Sequence, residues 1–238
     1  VHIHHLPLIV QQEKLLQTLN MKFLISQSIK MDDNGTKYNR LDDKYHIFFQ
    51  NINITLIPVD NFISDKKKYF NSDIKGVILS GSGDIEKIPD IDTIDRKPYF
   101  FQERDHTENI LIEYALNLKI PLIGICHGMQ KINDYFGGSI HAYYHHKRET
   151  YSEQGISHDI QGLDDLIGKD KIYSINQYHD HCILIEDLAD NLKCFAVDVR
   201  FNTVEGFYNN DDRILGIQWH PEREINDNVA QDIFYNFL

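Results

Sequence analysis

The stretch that most constrains this chain is Pro121-Leu122-Ile123-Gly124-Ile125-Cys126-His127-Gly128-Met129-Gln130. An apolar run ends in Gly-x-Cys-x-Gly, and residues 129–136 continue in a helix-compatible pattern. This is the thiol version of the strand–turn–helix elbow that presents a nucleophile at the edge of a sheet. The turn is sharp, and Gly124 and Gly128, two residues either side of the cysteine, remove the side chains that would collide there. The sulfur then stands at the N-terminal end of a helix, where the dipole and the outward-pointing N–H groups favour negative charge. An isolated cysteine is more often a small buried hydrophobe. The motif therefore carries chemistry only if a base lies elsewhere in the chain.

Far downstream, Ile214-Leu215-Gly216-Ile217-Gln218-Trp219-His220-Pro221-Glu222 gives a second apolar strand that ends in His-Pro-Glu. His220 can face the same sheet edge as Cys126, and Glu222, two residues on, can orient the imidazole. A nucleophile, a base and an orienting carboxylate are what thiol acyl transfer needs. With these residues in this order, the chain resembles the class I glutamine amidotransferase domains, in the branch that includes the gamma-glutamyl hydrolases. The resemblance covers residues 21–238. It implies an α/β fold, a three-layer αβα sandwich around a mostly parallel sheet. It also implies Cys126, His220 and Glu222 as catalytic residues.

Further roles follow only from the resemblance. The run Ser80-Gly81-Ser82-Gly83-Asp84 after an apolar strand corresponds to the family's oxyanion loop, with Gly81 and Gly83 as candidate amide donors and His127 as the second donor. Such donors typically contribute about 3–4 kcal/mol to transition-state stabilisation. Gln130, one turn past the nucleophile, corresponds to a residue that helps hold the glutamyl group. Asn176-Gln177-Tyr178-His179 aligns with a segment lining the glutamyl pocket, which makes Asn176, Tyr178 and His179 candidate substrate contacts, although Gln177 replaces the usual Ser. Arg104-Asp105-His106-Thr107-Glu108 is also typical of this branch; Asp105 reads as a helix cap, with Glu108 completing a capping box ahead of a helix over 109–117.

Composition narrows the partners. A net charge of −12 argues against a nucleic-acid surface, which needs a basic stripe. No apolar run approaches the ~20 residues of a membrane span. Three cysteines, Cys126, Cys182 and Cys194, make no even disulfide framework, so a reducing cytoplasmic setting is expected. His141, His145, His146 and His158 lack the spacing of a standard metal site, and the chemistry requires no metal or organic cofactor. The glycine-rich loop lacks the remaining parts of a dinucleotide fingerprint, and no Walker loop occurs. Lys147 and Arg148 could meet an anionic substrate group, whereas Lys37 and Arg40 read equally well as solvated loop charges.

The rest of the chain reads as alternating strands and helices. Strands are expected at 22–26, 54–59, 76–79 and 171–175, a β-pair at 194–199 and 204–208, and helices at 42–51 and 228–237. Asp32-Asp33-Asn34-Gly35 marks a polar loop. Residues 1–20 read as a leader or tag-derived extension, and Met21 as a natural start.

The expected activity is hydrolysis of a small gamma-glutamyl substrate by a stand-alone enzyme. Nucleotide-linked amidates of capsule biosynthesis, gamma-glutamyl polyamines and folate polyglutamates are the candidates, and a homodimer is one assembly open to it. The alternatives are a glutaminase subunit that supplies ammonia to a partner synthetase and a non-catalytic binding protein; the intact Cys, His and Glu argue against the second.

Overall fold

A computed structural model describes residues 20–81, 101–142, 156–179, 181–224 and 227–238. Of the expected extension over residues 1–20, all but Asn20 lies outside the described residues. In chain order the elements are β1 (Met21–Ile25), β2 (Ser28–Met31), β3 (Lys37–Arg40), α1 (Asp43–Asn51), β4 (Ile54–Pro58), β5 (Ile74–Leu79) and α2 (Gln102–Leu118). They continue with β6 (Leu122–Ile125), α3 (His127–Tyr135), β7 (His141–Ala142), β8 (Ile156–Gly162), β9 (Ile172–Gln177) and β10 (His181–Cys182). The chain closes with β11 (Lys193–Asp198), β12 (Val204–Asn209), β13 (Ile214–Ile217) and α4 (Asn228–Phe237).

The central strands are apolar on both faces, as parallel strands covered by helices must be. Along β1, Phe23 and Ile25 point to one face and Leu24 to the other; along β6, Ile123 and Ile125 oppose Leu122. The first face is covered by α1 and α4, through Phe48, Phe49, Ile233 and Phe234. The second is covered by α2 and α3, through Leu111, Ile112, Met129 and Ile132. The result is the expected three-layer αβα sandwich. α1 starts where the Asp42 side chain accepts from the Lys44 N–H. α4 starts at Asp227, which accepts from the Ala230 N–H at 2.9 Å and from the buried Trp219 indole N–H, also at 2.9 Å.

The main sheet has nine strands in the order β4-β1-β5-β6-β13-β12-β11-β8-β9. β4 through β13 are parallel, and β12, β11, β8 and β9 extend the sheet as an antiparallel arm. The decisive pairing is β6 with β13, with Ile125 opposite Ile217 and the Cys126 N–H donating to the Ile217 carbonyl at 2.8 Å. Neighbouring parallel strands thus deliver Cys126 and the segment leading to His220 to one carboxyl edge of the sheet, the usual place for a site in such folds.

Three local expectations are corrected. The segment around Asp32–Gly35 is not only a loop: β2 and β3 pair there as an antiparallel hairpin, its turn held by N–H groups of Asn34 and Thr36 donating to the Asp32 side chain. α2 begins at Gln102, with Phe101 as an N-cap that makes no side-chain bond. Asp105 and Glu108 therefore lie inside the helix and form no capping box; Asp105 pairs with Lys131 of α3. α3 begins at His127, two residues earlier than the pattern suggested.

α3 lies close against the sheet only because two positions lack side chains. A Cβ on Gly124 would stand 2.6 Å from the carbonyl carbon of Gly128, and one on Gly128 would collide with the carbonyl oxygen of Leu79. Both obstacles are backbone and cannot swing away. Gly128→Ala is expected to lower unfolding free energy by at least about 3 kcal/mol, the upper end of ordinary overpacking costs; urea denaturation of the two proteins measures the difference.

Candidate active site

Cys126 is the N-cap of α3, with φ 52° and ψ −106°. A residue with a side chain avoids this region, at a cost on the order of 1–3 kcal/mol, and such strain concentrates at functional sites. The Gln218 amide nitrogen lies 3.7 Å from the Cys126 sulfur. The other two cysteines are built differently: burial first, and then neighbouring carboxylates, push Cys182 to about 12. Burial likewise pushes Cys194 to about 12, so both remain protonated at neutral pH.

His220 is 2% exposed, and its Nδ1 donates to Glu222 Oε1 at 2.6 Å. That bond fixes the tautomer and the plane of the ring. Burial works against a charged ring here, but Cys126 and Glu222 outweigh it and raise the pKa of His220. The backbone is clasped as well. Asn176 Nδ2 donates to the His220 carbonyl at 2.8 Å, and its Oδ1 accepts from the His220 N–H at 3.0 Å. Tyr178 stands edge-on to the imidazole at 5.8 Å, with the Arg223 guanidinium 4.1 Å from the centre of the phenol ring.

The other sequence candidates fall in distinct places. Gln130 Nε2 donates to Gln218 Oε1 at 3.2 Å and to the His181 carbonyl at 3.3 Å, so it supports Gln218 behind the sulfur. Asn176 spends both ends of its amide on His220, which makes it a positioning residue. His179 is buried, with Nδ1 donating to the His181 carbonyl at 3.1 Å and its ring 5.9 Å from that of His158. The Gly81 N–H donates to the Tyr45 hydroxyl at 2.8 Å. The expectation of Gly81 as an oxyanion donor is corrected accordingly: that N–H is committed to Tyr45. What the position requires of glycine is room, because a Cβ there would strike the His220 ring. Gly83, Lys147, Arg148, His145 and His146 lie outside the described residues. His141 pairs with Asp187 at 2.8 Å.

His127 follows Cys126 as the first residue of α3, where helical N–H groups face outward. Its side chain is buried, and Nε2 donates to Glu108 Oε2 at 3.0 Å. Glu108 Oε1 accepts from Arg104 Nε and from Ser26 Oγ, each at 2.8 Å. Arg104 reaches the Ser80 carbonyl at 2.7 Å, and the Ser80 N–H donates to Ser26 Oγ at 3.0 Å. One buried carboxylate thus ties the residue after Cys126 to the strand end that enters the glycine-rich loop. The sequence reading missed the roles of Glu108, Arg104, Tyr45 and Gln218. Gln218 left a trace, as a polar residue that closes an apolar run two positions before His220.

The parallel sheet, the elbow and the carboxyl-edge cluster define the class I glutamine amidotransferase-like fold. A solved structure of a glutamine amidotransferase from Thermotoga maritima superposes with a TM-score of 0.56 at 17% identity, covering 92% of this chain and 83% of that one. The Peptidase C26 family model matches residues 26–222, and the chain belongs to that family. The gamma-glutamyl-CDP-amidate hydrolase of Campylobacter jejuni is 34% identical over 177 residues, 72% of this chain and 73% of that protein. The glutamine-hydrolysing GMP synthase of Borrelia garinii is 27% identical over 225 residues, and this chain spans only 37% of its length. The family and the first of these relatives support a hydrolase. Among the described residues no helix is long and apolar enough to cross a membrane.

Glu108 gives a pH test of the buried network. Burial works against its ionisation, but Arg104 and His127 outweigh it and hold the pKa at about 2, against an ordinary 4.5. A depressed carboxylate contributes stability that is present above its unfolded pKa and lost as pH falls through the folded one. Glu108→Gln leaves Arg104 buried without its charge partner and is expected to cost about 3–5 kcal/mol at pH 7. The gap between the two proteins should narrow as pH falls from 4.5 toward 2, measured by denaturant melts across that range.

Proposed function

We propose that the protein is a cysteine-dependent hydrolase that cleaves a gamma-glutamyl amide and releases L-glutamate through a glutamyl thioester. The observation that carries this reading is the strained Cys126 on the same sheet edge as a His220 oriented by Glu222 at 2.6 Å. The Cys126 sulfur attacks the δ-carbonyl of the glutamyl group, and its proton passes to His220. The tetrahedral oxygen is held by backbone N–H groups, with that of His127 as one donor. His220 protonates the departing nitrogen as the C–N bond breaks. It then takes a proton from the water that attacks the thioester, and the sulfur leaves. Glu222 holds the ring tautomer throughout, and Gln218, supported by Gln130, lies beside the sulfur. The chemistry is complete with side chains and water.

The substrate we favour is a small gamma-glutamyl conjugate with a nucleotide-linked leaving group, gamma-glutamyl-CDP-amidate being the candidate, with cytidine diphosphoramidate as the second product. What supports it is the 34% identity to a hydrolase of that name. A second reading is a glutaminase subunit that passes ammonia to a synthetase, supported by the similarity to GMP synthases.

Glutamate release from glutamine, a gamma-glutamyl polyamine, a gamma-glutamyl peptide and gamma-glutamyl-CDP-amidate separates these readings. The expected outcome is strong turnover of the amidate with glutamine poor. Cys126→Ala should be inactive on every substrate, and His220→Ala reduced by about 10²–10⁴ in kcat. Weak glutaminase activity that rises when a synthetase is added, with no conjugate hydrolysed, would establish the second reading instead.

A further inference from the structure

We propose that His158, His179 and Glu205 form a site for one divalent metal ion, zinc by donor type, inside the antiparallel arm. The three come from separate strands: His158 from β8, His179 from just beyond β9, and Glu205 from β12. One ligand atom from each lies within 4.8 Å of the other two. Around an ion with bonds of about 2.0–2.2 Å, tetrahedral donors stand about 3.4 Å apart, so the side chains would draw inward by rotamer adjustment on binding. Two imidazoles and a carboxylate are a donor set that suits zinc.

Polar accounting points the same way. Glu205 is 0% exposed; His158 and Thr203 stand beside it, but neither of its oxygens is held by a hydrogen bond of good geometry. The same holds for both ring nitrogens of His158, which is 8% exposed, and for Oδ2 of the buried Asp198. His158 Nε2 is drawn between the two carboxylates, 3.4 Å from Glu205 and 3.6 Å from Asp198. Buried polar groups are rarely left in this state, because each has given up its water without a replacement partner. An ion among them would meet several of these atoms at once.

The surroundings are prepared for a ligand. The His179 Nδ1–H bond to the His181 carbonyl selects the neutral tautomer with its lone pair on Nε2, the carbonyl-anchored arrangement that accompanies metal-ligating histidines. Asp198 Oδ1 is fixed by the N–H groups of Arg200 and Phe201, each at 2.7 Å, which leaves Oδ2 facing His158 as a fourth donor or a support for one. The ion would join β8, the end of β9 and β12, and so brace residues 176–179, through which Asn176 clasps His220.

The test uses the full chain carrying Cys126→Ala and alanine at His2, His4 and His5, which removes the competing thiol and the N-terminal histidines as zinc ligands. After dialysis against a chelator, zinc chloride is titrated by calorimetry and the melting temperature is followed with and without the metal. The expected result is one tight equivalent and a zinc-dependent rise in Tm. In Glu205→Gln and His158→Asn the affinity should fall by more than about 100-fold, beyond the range of outer-shell changes, and the Tm rise should vanish. No tight equivalent in the parent, or binding that both substitutions leave unchanged, would overturn the proposal. Should neither variant fold, zinc-edge X-ray absorption of the parent decides: a shell of two imidazoles and oxygen supports the site, and any sulfur-containing shell refutes it.

Discussion

The parallel pairing of β6 with β13 is the constraint on which the remainder depends. Its last hydrogen bond runs from the Cys126 N–H to the Ile217 carbonyl, at the residue where the chain leaves the strand in a strained conformation. That bond aligns two segments distant in sequence so that both break off at one edge. Helix α3 can then approach only because Gly124 and Gly128 let backbone lie against backbone. The strain at Cys126 is local, but its support comes from a sheet buried on both faces, an ordinary division between a special residue and the packing that holds it.

Around this pairing, polar groups are used in layers. Behind Cys126, Gln130 supports Gln218; beneath it, Glu108 gathers His127, Arg104 and Ser26. At His220, Glu222 holds the ring and Asn176 holds the backbone. Buried networks of this kind are favourable only when their members are matched, since low dielectric strengthens a satisfied bond and penalises an orphaned one alike. The cluster of His158, His179 and Glu205 is as buried, and there His158 lies between two carboxylates at the longer distances of 3.4 and 3.6 Å.

How far the sequence could be read follows from where each signal resides. The parallel strands were legible because burial on both faces leaves continuous apolar runs, and α4 because Ala230, Ile233 and Phe234 repeat at helical spacing. The elbow and the His220–Glu222 segment were legible because each is local in the chain and ends an apolar strand. The β2–β3 hairpin was not, since most of its residues are exposed and leave no apolar alternation. The start of α2 was hidden because Phe101 gives no capping signal and polar Arg104 and Glu108 are buried by pairing with partners far away in sequence. The commitment of the Gly81 N–H to Tyr45 was equally invisible, because residues 36 positions apart meet only once α1 packs on the sheet.

The double clasp of Asn176 on His220 has a consequence for how such proteins diverge or are recombined. Asn176 belongs to β9, the outermost strand of the antiparallel arm, whereas His220 follows β13 in the parallel half. The arm is therefore not a detachable decoration but part of the jig that sets His220. A chimera that takes the arm from one relative and the parallel half from another inherits both halves of that clasp from different histories. Joints placed outside the pair, so that β9 and the segment after β13 travel together, keep the jig intact.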